Sequence, residues 1–289
     1  MASEVLVVVG VGGMGQAIAR RQGPGKTILL ADFNQETLEL VASSMSREGY
    51  LIQTLHVDVS SPDSVDCLAR RATELGAVSQ LVHTAGLSPA QASAEAVLRV
   101  DLLGVAMVLD VFGKIVAPGG AGIVVASMAG YLFPVFTAEQ ERALAHTPAH
   151  ELLTLPFVSP DTVTDPALAY GLAKRANHIR VQAASRAWGL RGARVNSISP
   201  GCIATPMGHL ELDSPIGDGI RGMVAASATG RLGTPDEIAA AAAFLLGPDA
   251  AFITGVDLLV DGGVVAALQS GGGQSQPVAL ARRGAVLRR

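Results

Sequence analysis

Cysteine is nearly absent from this chain: Cys67 and Cys202 are the two in 289 residues. That excludes a disulfide framework, and neither thiol stands at metal-ligand spacing. No metal is expected, and two unpaired thiols fit a reducing, cytoplasmic location. Aromatic residues are scarce at 4%, and charged residues reach only 16% against 49% hydrophobic. Such a composition excludes a disordered chain. Long apolar runs are missing as well. Val5–Val9 has no basic flank and leads straight into glycines, so it does not read as a signal peptide. The longest stretch without formal charge, residues 115–138, is broken by Pro118, Gly119, Gly120 and Pro134. It cannot form a continuous membrane helix. Excess basic charge is also lacking. The formal net charge is −4, and four arginines (Arg282, Arg283, Arg288, Arg289) sit in the last nine residues. The acidic remainder does not invite nucleic acid.

What is abundant is Ala, Val, Leu and Gly, which suits strands buried on both faces and closely packed helices. Apolar runs of strand length alternate with longer amphipathic stretches, the pattern of a parallel sheet with crossover helices. The spacing predicts strands at 5–9, 27–31, 51–57, 80–83, 122–126, 194–198 and 257–260. Ser61-Pro62 and Thr234-Pro235-Asp236-Glu237 read as helix starts, the second with a capping box. Residues 131–168 interrupt the alternation with five prolines, and Thr137-Ala138-Glu139-Gln140 suggests a short helix within them. The domain is expected to span 1–265. Residues 266–289 form a Gly-rich, basic tail expected to be flexible.

Two patterns carry chemistry. Gly10-Val11-Gly12-Gly13-Met14-Gly15 lies between a predicted strand and a predicted helix. Glycines there let the backbone turn tightly and approach a pyrophosphate at the helix N-terminus. Asp32, ending the second strand, can accept from ribose hydroxyls, and Phe33-Asn34-Gln35 after it brings no cation. NAD is therefore expected over NADP. Asp32 could also be a helix cap or turn residue. Asp58 suits either the adenine amino group or a cap. In the second pattern, Tyr170-Gly171-Leu172-Ala173-Lys174 puts a phenol and an ammonium one helical turn apart. A fixed cation favours phenolate, so Tyr170 is expected to have a lowered pKa and to exchange protons with an alcohol or ketone oxygen.

With these motifs stand, in order, Asp58-Val59, Ala85-Gly86, Ser127, Arg194-Val195-Asn196, Pro200-Gly201, Thr205-Pro206-Met207, Gly230-Arg231-Leu232-Gly233 and Val260-Asp261-Gly262-Gly263. Over residues 5–263 the chain resembles the classical short-chain dehydrogenase/reductase (SDR) family. The resemblance implies an α/β fold with a single Rossmann-type, doubly wound parallel sheet of about seven strands. It implies a nicotinamide-dependent oxidoreductase interconverting a secondary alcohol and a ketone. Ser127 would hydrogen-bond the substrate oxygen, Tyr170 would transfer the proton, and Lys174 would tune it and bind ribose. Backbone groups after Pro200 and Gly201, near Ile203, and the hydroxyl of Thr205 would hold the carboxamide. Gly10, Gly12, Gly13, Met14, Gly15, Asp32, Phe33, Asp58, Val59, Ala85 and Gly86 complete the expected nucleotide site.

Three positions depart from the family. Val9 stands where its first loop glycine falls, so Gly10 serves only in a loop one residue shorter. His83-Thr84 replaces the usual Asn-Asn. Asp101 replaces the fourth catalytic residue, usually Asn, and an ionised Asp101 would attract Lys174. Ser127 and Tyr170 are 43 positions apart, a wide gap that residues 131–168 account for. A similar insertion marks bacterial 3α-hydroxysteroid dehydrogenase/carbonyl reductases, where the chain finds its nearest likeness. It would act as a lid or cover the Tyr-bearing helix, through which relatives assemble as homo-oligomers, dimers or tetramers. Substrate contacts are expected from Ser127, Met128, Tyr170 and Met207. A wall containing Tyr131, Leu132, Phe133, Leu210, Leu212 and Ile216 fits an apolar substrate such as a hydroxysteroid. An NADP-dependent carbonyl reductase and a nucleotide-sensing protein with weak turnover are the alternatives. His209 is expected in solvent and Cys202 as an apolar filler.

Overall fold

A computed structural model describes residues 3–132 and 136–271. Its strands are β1 (Glu4–Val9), β2 (Thr27–Asp32), β3 (Leu51–His56), β4 (Ala77–His83), β5 (Ala121–Val125), β6 (Arg194–Pro200) and β7 (Asp257–Val260). All pair in parallel, in the order β3-β2-β1-β4-β5-β6-β7. The chain winds outward from β1 to β3 and restarts at β4 on the other side of β1. A crevice therefore opens at the carboxyl ends of β1 and β4, where ligands of doubly wound sheets bind. β1 and β5 are almost wholly buried and apolar, since both of their faces are covered. Edge strand β3 is largely exposed and accommodates Gln53, Thr54 and His56.

The helices are α1 (Gly13–Gln22), α2 (Gln35–Arg47), α3 (Pro62–Leu75), α4 (Ala94–Val97), α5 (Val105–Phe112), α6 (Ala129–Leu132), α7 (Ala138–His146), α8 (Pro166–Leu190), α9 (Pro206–Leu212), α10 (Gly217–Ala226), α11 (Pro235–Leu246) and α12 (Val264–Gln269). On one sheet face α1, α2 and α11 close over Leu6, Val8, Ile28 and Leu30. On the other, α3, α5 and α8 cover Val7, Leu29, Leu81 and Val124. Trp188 of α8 lies flat enough on β5 that a Cβ on Gly122 would sit 2.6 Å from its ring. Its indole N–H donates to the Leu109 carbonyl at 3.2 Å. Both capping expectations hold: Ser61 accepts from Ser64, and Thr234 with Glu237 forms the reciprocal box.

Between Ser127 and Tyr170 the described residues include two short helical elements. Thr137 and Gln140 form a capping box that starts α7, and a 3₁₀ turn follows at Ala149–Thr154. Leu144, Leu152 and Val158 are fully buried in the core that holds α5 and α8. Arg180 of α8 donates to the carbonyls of Leu144 and Thr147, and Arg175 pairs with Glu141 at 3.1 Å. The described part of the insertion thus packs on α5 and α8. Phe133 and Pro134 lie outside the described residues. At the other end, α12 runs through position 265 with Val264 and Val265 buried. The basic tail from 272 onward lies outside the described residues. No described helix is long and apolar enough to cross a membrane.

Candidate active site

The glycine loop sits at the end of β1, between the ends of β2 and β4. Gly10 has φ +92°, and a Cβ there would lie 2.4 Å from the Ala85 amide nitrogen. Only glycine fits there. Gly15 is equally constrained, since its Cβ would fall 2.0 Å from the Gly10 carbonyl oxygen. A Cβ on Gly12 would meet nothing within 4 Å, leaving its face open to a ligand. Helix α1 begins there with no side-chain cap and no acid in its first turn. An uncapped N-terminus beside an open glycine face is chemically matched to a pyrophosphate. Asp32 accepts from the Val11 amide at 2.7 Å and the Asn34 amide at 2.8 Å, which ties the end of β2 to the loop. It does not cap α2; Asn34 does. Asp58 likewise is no cap, since Ser61 starts α3. It accepts instead from the Ser60 amide and hydroxyl. Phe33 is exposed, its ring centroid 5.5 Å from that of His56.

Thr84 is a residue whose part in the site the sequence did not disclose. Its hydroxyl donates to the Gly10 carbonyl at 2.6 Å and so clamps the loop from β4. The departure from Asn at that position preserves a side-chain donor. Met14 packs on the core behind α1, and Val59 fills the space left by the missing Cβ of Gly104.

Asp101 sits in a π-helical stretch, Leu98–Gly104, between α4 and α5. Such widened turns often mark functional positions. Asp101 is fully buried, accepts from the Leu87 amide at 2.8 Å, and lies 3.0 Å from Lys174 Nζ. Gly86 packs over the pair: a Cβ would sit 3.1 Å from Asp101 Oδ2 and 3.2 Å from Lys174 Nζ. Lys174 Nζ is also 5.2 Å from the centroid of the half-buried Tyr170 ring. Burial works to lower the Lys174 pKa, but Asp101 and then Tyr170 overcome it and hold the ammonium above its ordinary value. Burial pushes the Asp101 pKa up against the pull of Lys174 and the Leu87 amide.

One expectation is corrected. Tyr170 is not lowered in pKa: burial raises it, Lys174 and Ser127 pull it down, and Asp101 and Glu211 push it further up. Lys174 acts in the expected direction, but a paired cation inside the protein does not outweigh desolvation. Ser127 follows β5, and its Oγ accepts from the Ala129 amide at 3.1 Å, leaving its proton free to point elsewhere. Met128 is bonded through its amide to the Pro200 carbonyl. Gly201 lies against Asp261, and Ile203 bridges to Gly233. Thr205 caps α9 and presses its methyl on Gly13, 3.0 Å from a notional Cβ. Gly10 thus abuts Ala85, Gly13 abuts Thr205, and Gly86 abuts Asp101 and Lys174. Met207 follows on α9.

The apolar wall was drawn too simply. His209, Leu210 and Ile216 face solvent, whereas Glu211 turns inward and accepts from Ser88 at 2.6 Å. Tyr131 donates to Asp257 at 2.7 Å, and its ring, with Met128, Leu132, Cys202 and Met223, packs against α12. Burial pushes the Cys202 thiol up to about 11, so it is protonated filler.

The fold and this crevice define a dinucleotide-binding α/β protein. Residues 4–138 match the family described as short chain dehydrogenase, and residues 132–265 match the one described as Enoyl-(Acyl carrier protein) reductase. A short-chain dehydrogenase/reductase of Alternaria brassicicola is 42% identical over 274 residues, covering 93% of this chain and 98% of its own. D-threitol dehydrogenase of Mycolicibacterium smegmatis is 31% identical, with 89% and 91% covered. A 3-alpha-hydroxysteroid dehydrogenase/carbonyl reductase of Comamonas testosteroni matches at 30% over 192 residues, 65% of this chain and 73% of its own. Among solved structures, a glucose/ribitol dehydrogenase of the SDR type from Brucella melitensis superposes with a TM-score of 0.71 at 27% identity, covering 91% and 96%. The chain belongs to the short-chain dehydrogenase/reductase family: it is an oxidoreductase acting on alcohol or carbonyl groups with a nicotinamide dinucleotide.

Proposed function

We propose that the chain interconverts a secondary alcohol and its ketone with NAD(H), on a largely apolar substrate up to the size of a hydroxysteroid. The observation that carries this is the stacking of Lys174 Nζ 5.2 Å from the Tyr170 ring. Ser127 stands beside them at the end of β5. The nicotinamide, when bound, accepts or returns the hydride. The chain's own residues then move the proton. The Tyr170 phenolate oxygen takes it from the carbinol oxygen in oxidation, and the Tyr170 phenol gives it to the carbonyl oxygen in reduction. The Ser127 hydroxyl donates to the same oxygen and fixes its position. Lys174 stabilises the phenolate, and Asp101 keeps Lys174 charged and in place. NAD is favoured because Asp32 would repel a ribose phosphate and no cation follows it. The steroid-sized limit is supported by the likeness to a 3-alpha-hydroxysteroid dehydrogenase/carbonyl reductase over 65% of the chain. Two unpaired cysteines suit a cytoplasmic protein, and the packing of the insertion on α8 suits a homodimer rather than a tetramer.

The test is hydride transfer, followed at the nicotinamide absorbance with cyclic alcohols, steroids and aryl ketones, with NAD and NADP compared. Tyr170→Phe should bind NAD as the wild type does and lose about 10²–10⁴-fold in turnover. Retained turnover would move the acid/base role elsewhere. The rival reading, a nucleotide-sensing protein with little turnover, draws on His83, Thr84 and Asp101. Tight NAD binding with no turnover of any substrate would favour it.

A further inference from the structure

We infer that Glu211, held in place by Ser88, is a specificity-determining carboxylate of the substrate pocket that admits neutral alcohols and ketones and rejects anionic ones. This rests on the proposed alcohol–ketone activity and adds the charge class of its substrate. Glu211 lies on α9, the first helix of the segment after Thr205, and Ser88 lies 123 positions earlier in the loop after β4. Their 2.6 Å hydrogen bond spans the crevice. Ser88 is 1% exposed, so its hydroxyl depends on this partner, and it also receives the Ala90 amide at 3.2 Å. Its neighbour Leu87 donates to Asp101, and Gly86 rests on Lys174 Nζ. The latch therefore ends one residue from the acid/base centre. Oε1 of Glu211 is engaged, and Oε2 accepts from no described residue.

The field of this carboxylate is felt at Tyr170, at Lys174 and at Cys202. Those three groups lie on α8 and after β6, so Glu211 lies within reach of the acid/base centre. Its neighbours on α9, His209 and Leu210, point to solvent, so the inward turn belongs to this residue and not to the whole helix. A carboxylate partly shielded from water repels a second anion far more strongly than an exposed one does. It costs a neutral ring nothing comparable. The pocket thus becomes apolar on the α12 side and negative on the α9 side.

The experiment uses 3-hydroxycyclopentane-1-carboxylate and its methyl ester, which share a ring and carbinol and differ in charge. For the full chain, kcat/KM is measured for both in wild type, Glu211→Gln and Ser88→Ala, with NAD. Wild type should prefer the ester. Glu211→Gln, nearly isosteric and uncharged, should shrink the ester-to-acid ratio by at least about tenfold, because two carboxylates a few ångström apart at reduced dielectric repel by more than that factor. Ser88→Ala should shrink it in the same direction by a smaller factor, since the carboxylate is then free to swing outward. A Glu211→Gln ratio within about twofold of wild type overturns the inference, whatever happens to kcat alone. A ratio moved by Glu211→Gln but not by Ser88→Ala overturns the part given to Ser88. If no alcohol is turned over by the wild type, the activity reading itself fails. The same ratio, read as dissociation constants by calorimetry on NAD-loaded protein, then still decides the role of Glu211.

Discussion

Replacing Asp101 by Asn should shift the pH dependence of alcohol oxidation toward acid. Asn is nearly isosteric, keeps an acceptor for the Leu87 amide, and removes one negative charge beside Lys174. That charge opposes the Tyr170 phenolate, adding to the burial that already raises its pKa. Lys174 Nζ lies 3.0 Å from Asp101 and 5.2 Å from the Tyr170 centroid. Those two distances put the carboxylate within about 8 Å of the ring, where a unit charge at an effective dielectric of about 20 is worth at least about 2 kcal/mol, or about 1.5 pKa units. Lys174 loses support by the same change, because Asp101 is what holds its ammonium above its ordinary pKa against burial. Partial loss of that cation works against the shift, so an observed fall of about one unit is expected. The assay is kcat/KM for a secondary alcohol against pH, where the rising limb reports the free-enzyme base. Thermal melts at neutral pH check the fold, since removing one partner of a buried pair costs up to about 3–5 kcal/mol. A limb that stays put or moves to higher pH in a folded variant would refute the view that Asp101 is charged and acts on Tyr170.

His83 is fully buried and its pKa is lowered to about 3, first by burial and then by Lys174. A depressed folded-state pKa gives stability that is complete above the unfolded value of 6.5 and is lost as pH falls toward 3. The loss amounts to about 4–5 kcal/mol if this group acts alone. His83→Asn should flatten that part of the acid-unfolding curve in urea melts; an unchanged slope between those pH values would contradict it. Thr84→Val removes the hydroxyl that clamps Gly10 and should weaken NAD binding by about 5- to 10-fold, roughly one hydrogen bond, as read by calorimetry. Gly15→Ala puts a methyl 2.0 Å from the Gly10 carbonyl and should abolish measurable NAD binding while far-UV circular dichroism keeps its helical signal.

How much of this was legible follows from where the information lies. Strands buried on both faces betray themselves as apolar runs, so β1, β2 and β5 needed only boundary adjustments of a residue. Caps are local, so Ser61, Thr137 and Thr234 could be read directly. The need for a glycine at position 10 shows in the structure, in its +92° φ and its approach to Ala85. The inward turn of Glu211 was not legible. A helix of seven residues has no amphipathic period long enough to orient it, and its partner Ser88 is 123 positions away. The Tyr131–Asp257 bond, across 126 positions, was hidden for the same reason. The Tyr170 pKa was misjudged because spacing reveals the neighbouring cation but not the depth of burial.

Three of the residues that depart from the family pattern, His83, Thr84 and Asp101, share one neighbourhood. Thr84 still donates to the loop, Asp101 still receives the Leu87 amide, and His83 still occupies the end of β4. Only Asp101 adds a formal charge, and it does so against Lys174. The ion pair fixes Lys174 more rigidly than an amide would, yet screens the cation that should promote the phenolate. His83 meanwhile stays neutral because the same Lys174 and its own burial forbid a second positive charge there. A site so arranged holds its base protonated to higher pH, which favours the direction in which Tyr170 gives its proton away. Ketone reduction should therefore outrun alcohol oxidation at neutral pH by more than the cofactor equilibrium alone predicts for the initial rates. Asp101→Asn should narrow that gap, and an Asp101→Asn enzyme with an unchanged ratio of forward to reverse initial rates at pH 7 would show that the ion pair fixes Lys174 without tuning Tyr170.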